Sequence, residues 1–173
     1  MMHRAFSQSL QRLGSRYLQT KITPQRPRAI VSSFICSPLG PNGEIKFAIF
    51  KRSQDVLNYR GKWAVCSGSI EPADETPEAA ARREILEETR LSDNDIQLLL
   101  KIAPFNIRDV DLGLEWEIHS FAWRLTKGVK SIVLDSEHTE YCFIEREELR
   151  LFDHVPLLDV GMNKIFSDPN FEP

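Results

Sequence analysis

The chain has few cysteines and no long apolar run. No stretch of its 173 residues approaches the roughly 18 consecutive apolar positions that suggest a membrane span. Its three cysteines, Cys36, Cys66 and Cys142, are odd in number, widely spaced and set in apolar segments. They read as buried thiols of a reducing compartment, not as a disulfide frame or a zinc knuckle. No internal repeat divides the chain, and its length suits one domain with a short extension and a core of its own. Acidic residues are also missing before Glu44, where six basic ones stand: Arg4, Arg12, Arg16, Lys21, Arg26 and Arg28.

That asymmetry separates two parts. The net charge of -3 hides a body with 16 basic against 25 acidic residues, about -9. An acidic body argues against broad nucleic-acid binding, and an anionic small molecule would need metal ions as a bridge. In the basic segment Phe6, Leu10, Leu13 and Tyr17 recur at helical spacing, with the arginines largely off that stripe. Residues 1–20 have the composition of a mitochondrial transit peptide and lack the apolar core of a secretory signal. The competing reading is a helix that packs its stripe on the domain, in a cytoplasmic protein. Thr23 to Pro27 is a linker, because its two prolines remove helix donors and bias their neighbours to extended backbone. The division expected is therefore 1–26 extension, 28–166 domain and 167–173 tail.

From Arg28 the pattern turns to strands. Ala29 to Ser37 is β-rich, a Pro/Gly/Asn cluster follows at 38–43, and Glu44 to Lys51 reads as the second arm of a hairpin. Trp63 to Cys66 is a third apolar segment. Thr76 is a plausible helix N-cap with Pro77 at the first helical position, and the helix runs to about Thr89. Ile96 to Ile107 and Leu114 to Leu125 are predicted as two more strands. In the second, Leu114, Trp116 and Ile118 alternate with Glu115, Glu117 and His119. Ser136 to Thr139 reads as a loop, Tyr141 to Ile144 as a short strand, and Glu145 to Leu151 and Leu157 to Phe166 as helices. Strands around a helix with helices again at the end indicate a layered mixed α/β domain.

The helix carries the chemistry. Glu84, Glu87 and Glu88 fall at i, i+3 and i+4, on one side, where like charges destabilise unless they are solvated or neutralised by a cation. Mg²⁺ is held by a few carboxylates, retained waters and phosphate oxygens, so such a face suits water attack on a pyrophosphate.

With its preceding loop this segment resembles the signature box of the Nudix hydrolases, which cleave nucleoside diphosphates linked to a further group. The family's Gly, Glu, Arg-Glu, aliphatic, Glu-Glu, Gly and aliphatic positions fall here on Gly68, Glu75, Arg83-Glu84, Ile85, Glu87-Glu88, Arg90 and Leu91. Seven residues separate Glu75 from Arg83, as in the family, but six separate Gly68 from Glu75 where the pattern has five. Arg90 stands where the family has Gly, which puts a left-handed helix cap in doubt. Around the box, the WAVCSGSIEP stretch is most similar to fungal members.

The resemblance implies a Nudix-type α/β/α sandwich with a mixed β-sheet, firm over 60–91 and looser over 28–166. It implies that Glu84, Glu87 and Glu88 hold Mg²⁺ or Mn²⁺, with the Gly68 carbonyl as a further ligand. Arg83 would anchor the loop by pairing with a carboxylate, Glu75 being the natural candidate. A glutamate must take the proton from the attacking water; Glu84 is the first choice, and Glu137 the second and a possible ligand.

Outside the box, Arg60 and Lys62 could meet phosphate or be ordinary surface charge. Trp116, Phe34 and Phe105 could stack on a base, although apolar strand residues are more often core. Glu115, Glu117 and His119 could line the pocket or form a solvated strand face. His138 beside Glu137 could touch phosphate or have no role, and His3 and His154 carry no signal. Cys66 has no base beside it in sequence, which argues against a thiol nucleophile. The expected activity is a metal-dependent pyrophosphohydrolase acting on a small nucleotide, as a monomer or homodimer away from membranes. Its competitors are a housecleaning enzyme for oxidised nucleoside triphosphates and a non-catalytic Nudix-fold module that binds a nucleotide or protein. The intact Arg83, Glu84, Glu87 and Glu88 speak against the last.

Overall fold

The structure is a computed structural model that describes residues 27–126 and 132–172. The amphipathic extension at 1–20 and the linker through Arg26 lie outside the described residues. In chain order the elements are strands β1 (Arg28–Cys36), β2 (Phe47–Arg52), β3 (Trp63–Ala64) and β4 (Cys66–Ser69), helix α1 (Pro77–Thr89), strands β5 (Ile96–Lys101), β6 (Phe105–Asp109), β7 (Leu114–Leu125) and β8 (His138–Ile144), a 3-10 helix (Arg146–Leu151), and helix α2 (Leu158–Phe166).

Two parallel strands carry the sheet. β1 and β7 pair in continuous register from Arg28↔Trp116 to Cys36↔Arg124. Every other strand-to-strand pairing among the described residues is antiparallel, so the sheet is mixed as expected. Each long strand forks on its outer side. β1 meets β4 through Ile30↔Ser69 to Ser33↔Cys66 and β2 only at Cys36↔Phe47. β7 meets β6 over its first half and β5 over its second. The expected hairpin of β1 and β2 therefore exists, but with minimal pairing between its arms.

The core lies on both faces of the sheet. Alternation along β1 sends Val31 and Ile35 toward α1, where Ala80, Ala81 and Ile85 meet Phe121 and Trp123. It sends Phe34 and Cys36 the other way, where Leu158, Met162 and Ile165 of α2 join Ile49 and Ala122. Strands buried on both faces read as near-continuous apolar runs, as β1 and β2 do. The result is the α/β/α sandwich. No helix among the described residues is long and apolar enough to cross a membrane.

Several expected elements change shape. Ile96 to Ile107 is not one strand: it breaks at Ile102–Pro104, where proline offers no N–H to the ladder, and its halves pair with different halves of β7. The strand expected from Tyr141 begins at His138, so His138 opens β8 and is buried, not in a loop. The helix expected at Glu145 is a 3-10 helix closed by a Glu145–Glu148 capping box. α1 begins as predicted, with Thr76 Oγ1 accepting from the Ala79 N–H at 3.1 Å and Pro77 in the first turn.

At its other end α1 forms the left-handed cap although glycine is missing. Arg90 adopts φ 60°, ψ 14° and donates its N–H to the Leu86 carbonyl. A side chain in that region costs energy that glycine escapes. Arg90→Gly should therefore raise stability by roughly 0.5–1 kcal/mol in chemical denaturation; equal or lower stability would show that the arginine is unstrained there.

Candidate functional site

The loop between β4 and α1 is shaped by Arg83. Its guanidinium takes Asp74 in a bidentate pair, Nε to Oδ1 at 3.1 Å and an Nη to Oδ2 at 3.0 Å, and donates to the Ser69 carbonyl at 3.0 Å. Asp74, not Glu75, is thus the loop carboxylate that the arginine holds. The reason is local: Glu71 to Asp74 form a turn in which the Asp74 N–H reaches the Glu71 carbonyl and Asp74 Oδ2 accepts from the Glu71 N–H. The turn aims the short Asp74 side chain at the helix. Glu75, next to the N-cap, is exposed, and the Arg83 donors go to Asp74, Ser69, Glu84 and Glu87. Five residues separate Gly68 from Asp74, so the extra residue sits after the pairing carboxylate. Arg83 hydrogen bonds, offset by burial, hold the Asp74 carboxyl below its ordinary range.

The remaining Nη of Arg83 meets Glu84 at 2.8 Å and Glu87 at 3.1 Å. Glu87 is exposed, Glu84 is mostly covered, and Glu88 is 4% exposed. Burial, set against the Arg83 contact and reinforced by Glu87 and Glu137, raises the Glu84 carboxyl above its usual range. Glu88 goes further: burial, with Glu84 and Asp135 nearby, pushes it up to about 8 against the hydrogen bond from the Cys66 thiol. Its Oε2 is buried without a hydrogen-bond partner, an expensive state for an acceptor. The Cys66 thiol is itself raised by burial and by Glu88, so it stays protonated and is no nucleophile.

A second segment approaches from far along the chain. The Val133 N–H donates to the Thr89 carbonyl at 2.9 Å and the Asp135 N–H to the Glu88 carbonyl at 3.2 Å. A helix leaves its last carbonyls without intrahelical partners, and this loop satisfies them. Asp135 in turn accepts from the Glu137 N–H at 3.0 Å and contacts His138 Nδ1 at 3.2 Å, while the Glu137 carbonyl accepts from Ser53. Asp135 and Glu137 are thereby carried to Glu88 and Glu84. Sequence reasoning missed Asp135; its one signal is an acid two residues before the Glu137 already singled out.

Do these residues fit a divalent cation? Among the described residues no three His, Cys, Asp or Glu donors stand in a preformed cage; Glu84 and Glu87 are turned onto Arg83. The donors are all carboxylate or carbonyl oxygens apart from one thiol, the set that Mg²⁺ takes. The orphaned Glu88 Oε2 is an acceptor waiting for a partner. A Cβ at Gly68 would lie 2.0 Å from the Glu84 carboxylate, so only glycine admits that carboxylate against the loop. On these grounds the group fits.

On the far side of Gly68 lies a cavity of about 240 Å³. Its floor is the N-terminal halves of the parallel pair, Ile30, Ser32, Trp116 and Ile118, with Ile107 of β6. Val155 to Leu158 close it from the α2 side, Arg52 from the end of β2, and Asn58 and Tyr59 from the loop that follows. Trp116 is in the wall. The other proposed contacts lie away from it. Glu115 is exposed and pairs in register with Arg108 outside the cavity. Arg60 donates to the Val56 carbonyl at 2.7 Å, and Lys62 pairs with Asp153; neither lines the cavity. Glu117 and His119 pair with each other at 2.9 Å on the α1 face. Phe34 is fully buried among Phe47 and Phe166, and Phe105 lies under Lys164.

A family model for the NUDIX domain matches residues 30–165, most of the chain. The chain belongs to the NUDIX family. It is a Nudix hydrolase, an enzyme acting on pyrophosphate bonds. The fold is similar to that of the Nudix hydrolase RenU from M. smegmatis, at TM-score 0.66 and 16% identity over 81% of this chain and 84% of that one. It is also similar to the C. elegans Ap4A hydrolase in a binary complex, at TM-score 0.64 and 17% identity over 81% and 96%. The NUDIX domain of Shewanella oneidensis NrtR complexed with ADP ribose matches at TM-score 0.56 and 14% identity over 81% and 88%. No curated protein matches the sequence.

The Arg83–Asp74 pair gives a test of how the Nudix loop is held. Asp74→Ala should lower the melting temperature, and Glu75→Ala should leave it unchanged. Because the folded Asp74 carboxyl is depressed, its contribution is complete above the ordinary carboxylate range and is lost as pH falls through the folded value. The gap between the native protein and Asp74→Ala should therefore close on acidification; a gap that persists or grows there would refute the pairing as its source.

Proposed function

We propose that this Nudix hydrolase is an Mg²⁺- or Mn²⁺-dependent pyrophosphohydrolase that cleaves the diphosphate bond of a nucleoside diphosphate linked to another group. The observation that carries the reading is the position of Gly68, which touches the carboxylate cluster on one side and lines the apolar cavity on the other. A substrate lying across that residue presents its phosphates to the carboxylates and its remainder to the cavity. The nucleotides held or cleaved by two of the structural neighbours are in keeping with this.

Glu84, Glu87 and Glu88, with the Gly68 carbonyl, would hold the cation. When bound, it neutralises the diphosphate and stabilises the leaving phosphate. The protein does the rest. Arg83 fixes the β4–α1 loop through Asp74 and the Ser69 carbonyl, so that Gly68 keeps its place. Glu84, whose carboxylate lies against Gly68, takes the proton of the attacking water, Glu137 being the alternative base. The water oxygen bonds to phosphorus, the bridging P–O bond breaks, and a nucleoside monophosphate and a phosphorylated remainder leave. Trp116 lines the part of the cavity that receives the group beyond the phosphates.

Purified protein should turn over members of a panel of nucleoside diphosphate derivatives with Mg²⁺ or Mn²⁺. Preference for oxidised nucleoside triphosphates would instead make it a housecleaning enzyme, and absence of turnover on every member would reject diphosphate-linked nucleosides as its substrates. Glu87→Gln should keep the fold and cut metal-dependent turnover by at least about 10–100-fold, the loss typical even of groups behind the ligands. Full activity in that variant would remove the box from the metal site.

The basic extension, residues 1–26, is proposed as a mitochondrial targeting segment. Fused to a fluorescent reporter, it should carry the reporter to mitochondria; a diffuse cytosolic signal would reject the idea.

A further inference from the structure

One wall of the cavity beside Gly68 is made of two aromatic side chains from distant parts of the chain, and a single carboxylate holds both. Asp109, the last residue of β6, is 5% exposed. Its Oδ2 accepts from the Tyr59 hydroxyl and from Trp116 Nε1 at 3.3 Å, and its Oδ1 accepts from the Leu112 N–H at 3.0 Å. Tyr59 comes from the loop between β2 and β3 and sits at φ 54°, a left-handed backbone that non-glycine residues avoid. Trp116 comes from β7. All three residues line the cavity, together with Ile107, Ile118, Val155 and Leu157. Both carboxylate oxygens of Asp109 are engaged by the protein, so its part is to hold other side chains in place.

We propose that Asp109 is a positioning residue for substrate binding: it fixes Tyr59 and Trp116 as one aromatic wall on which the base of a nucleotide stacks. This rests on the reading that the cavity takes the group carried by the diphosphate. Stacking on an aromatic face tolerates any base, because every base has a π-face. Tyr59 and Trp116 spend their polar atoms on Asp109, which leaves their rings as the recognition surface. The wall therefore selects a planar ring over a bare sugar and discriminates weakly between bases. A plain structural staple of the β6–β7 turn would show neither property.

The test has a binding arm and a kinetic arm. AMP is titrated against the native protein, Asp109→Ala, Asp109→Asn and Tyr59→Phe by calorimetry. The kcat and KM of each are measured on a base-bearing diphosphate and on the same diphosphate carrying a ribose without a base. Asp109→Ala should weaken AMP binding by about 10-fold, the range of one lost stacking partner. Its loss on the base-bearing substrate should fall on KM more than on kcat and should narrow the preference over the baseless one. Tyr59→Phe, which keeps the ring and removes one donor, should show a smaller change in the same direction. Asp109→Asn, which retains an acceptor oxygen, should recover most of the affinity. Unchanged AMP affinity in both Asp109→Ala and Tyr59→Phe overturns the proposal, as does an equal loss on base-bearing and baseless substrates. Asp109-dependent AMP binding without hydrolysis of any diphosphate leaves the wall standing and rejects the pyrophosphohydrolase reading.

Discussion

The guanidinium of Arg83 is the interaction on which this site depends. Its planar fork meets Asp74 and the Ser69 carbonyl on one side, and Glu84 and Glu87 on the other. The first pair of contacts is structural, because it sets the path of the chain from β4 into α1. The second is electrostatic: stacked carboxylates on one helical face repel one another, and a cation among them relieves that repulsion. A lysine could replace the charge but not the fork, since only a planar guanidinium presents parallel donors to a carboxylate. Holding the loop with Asp74 leaves Glu84 and Glu87 as partners that Arg83 can release without losing its anchor.

The other half of the site is built by a helix end. α1 finishes with carbonyls that no residue of its own can satisfy, and the 133–135 segment donates to them. That backbone pairing brings Asp135 and Glu137 to carboxylates about fifty positions earlier in the chain. Accumulating negative charge there is unfavourable in itself. The raised Glu84 and Glu88 carboxyls and the unpartnered Glu88 oxygen express that cost. Strain of this kind in a folded protein is concentrated where function requires it.

The sequence was most legible where the constraint is local. The spacing of Arg83, Glu84, Glu87 and Glu88 is a property of one helix, and Thr76 with Pro77 marked its start. Alternation along Leu114 to Leu125 put Trp116 and Ile118 on one face, and both line the cavity. Legibility failed where two segments meet. Glu75 is the natural partner for Arg83 from its place in the box, but the Glu71–Asp74 turn aims Asp74 at the helix instead. Arg60 and Lys62 read equally as phosphate contacts or surface charge, because their partners, the Val56 carbonyl and Asp153, are set by the fold. Arg90 was a doubtful helix cap because glycine is preferred there, yet the helix end imposes the left-handed backbone regardless of the residue.

The fork in the sheet explains why cluster and cavity adjoin. β4 and β6 flank only the first halves of β1 and β7, while β2 and β5 flank the second halves. The second halves are covered by α2 and form core. Toward the first halves the same face opens into the cavity. Gly68 lies on β4 at that boundary, opposite Val31 in the ladder, with Glu84 of α1 against it. A side chain there would drive the Glu84 carboxylate away from the loop. The absence of a single Cβ therefore lets a charged cluster and an apolar cavity share one wall. That juxtaposition is what a molecule with a charged middle and a planar end requires.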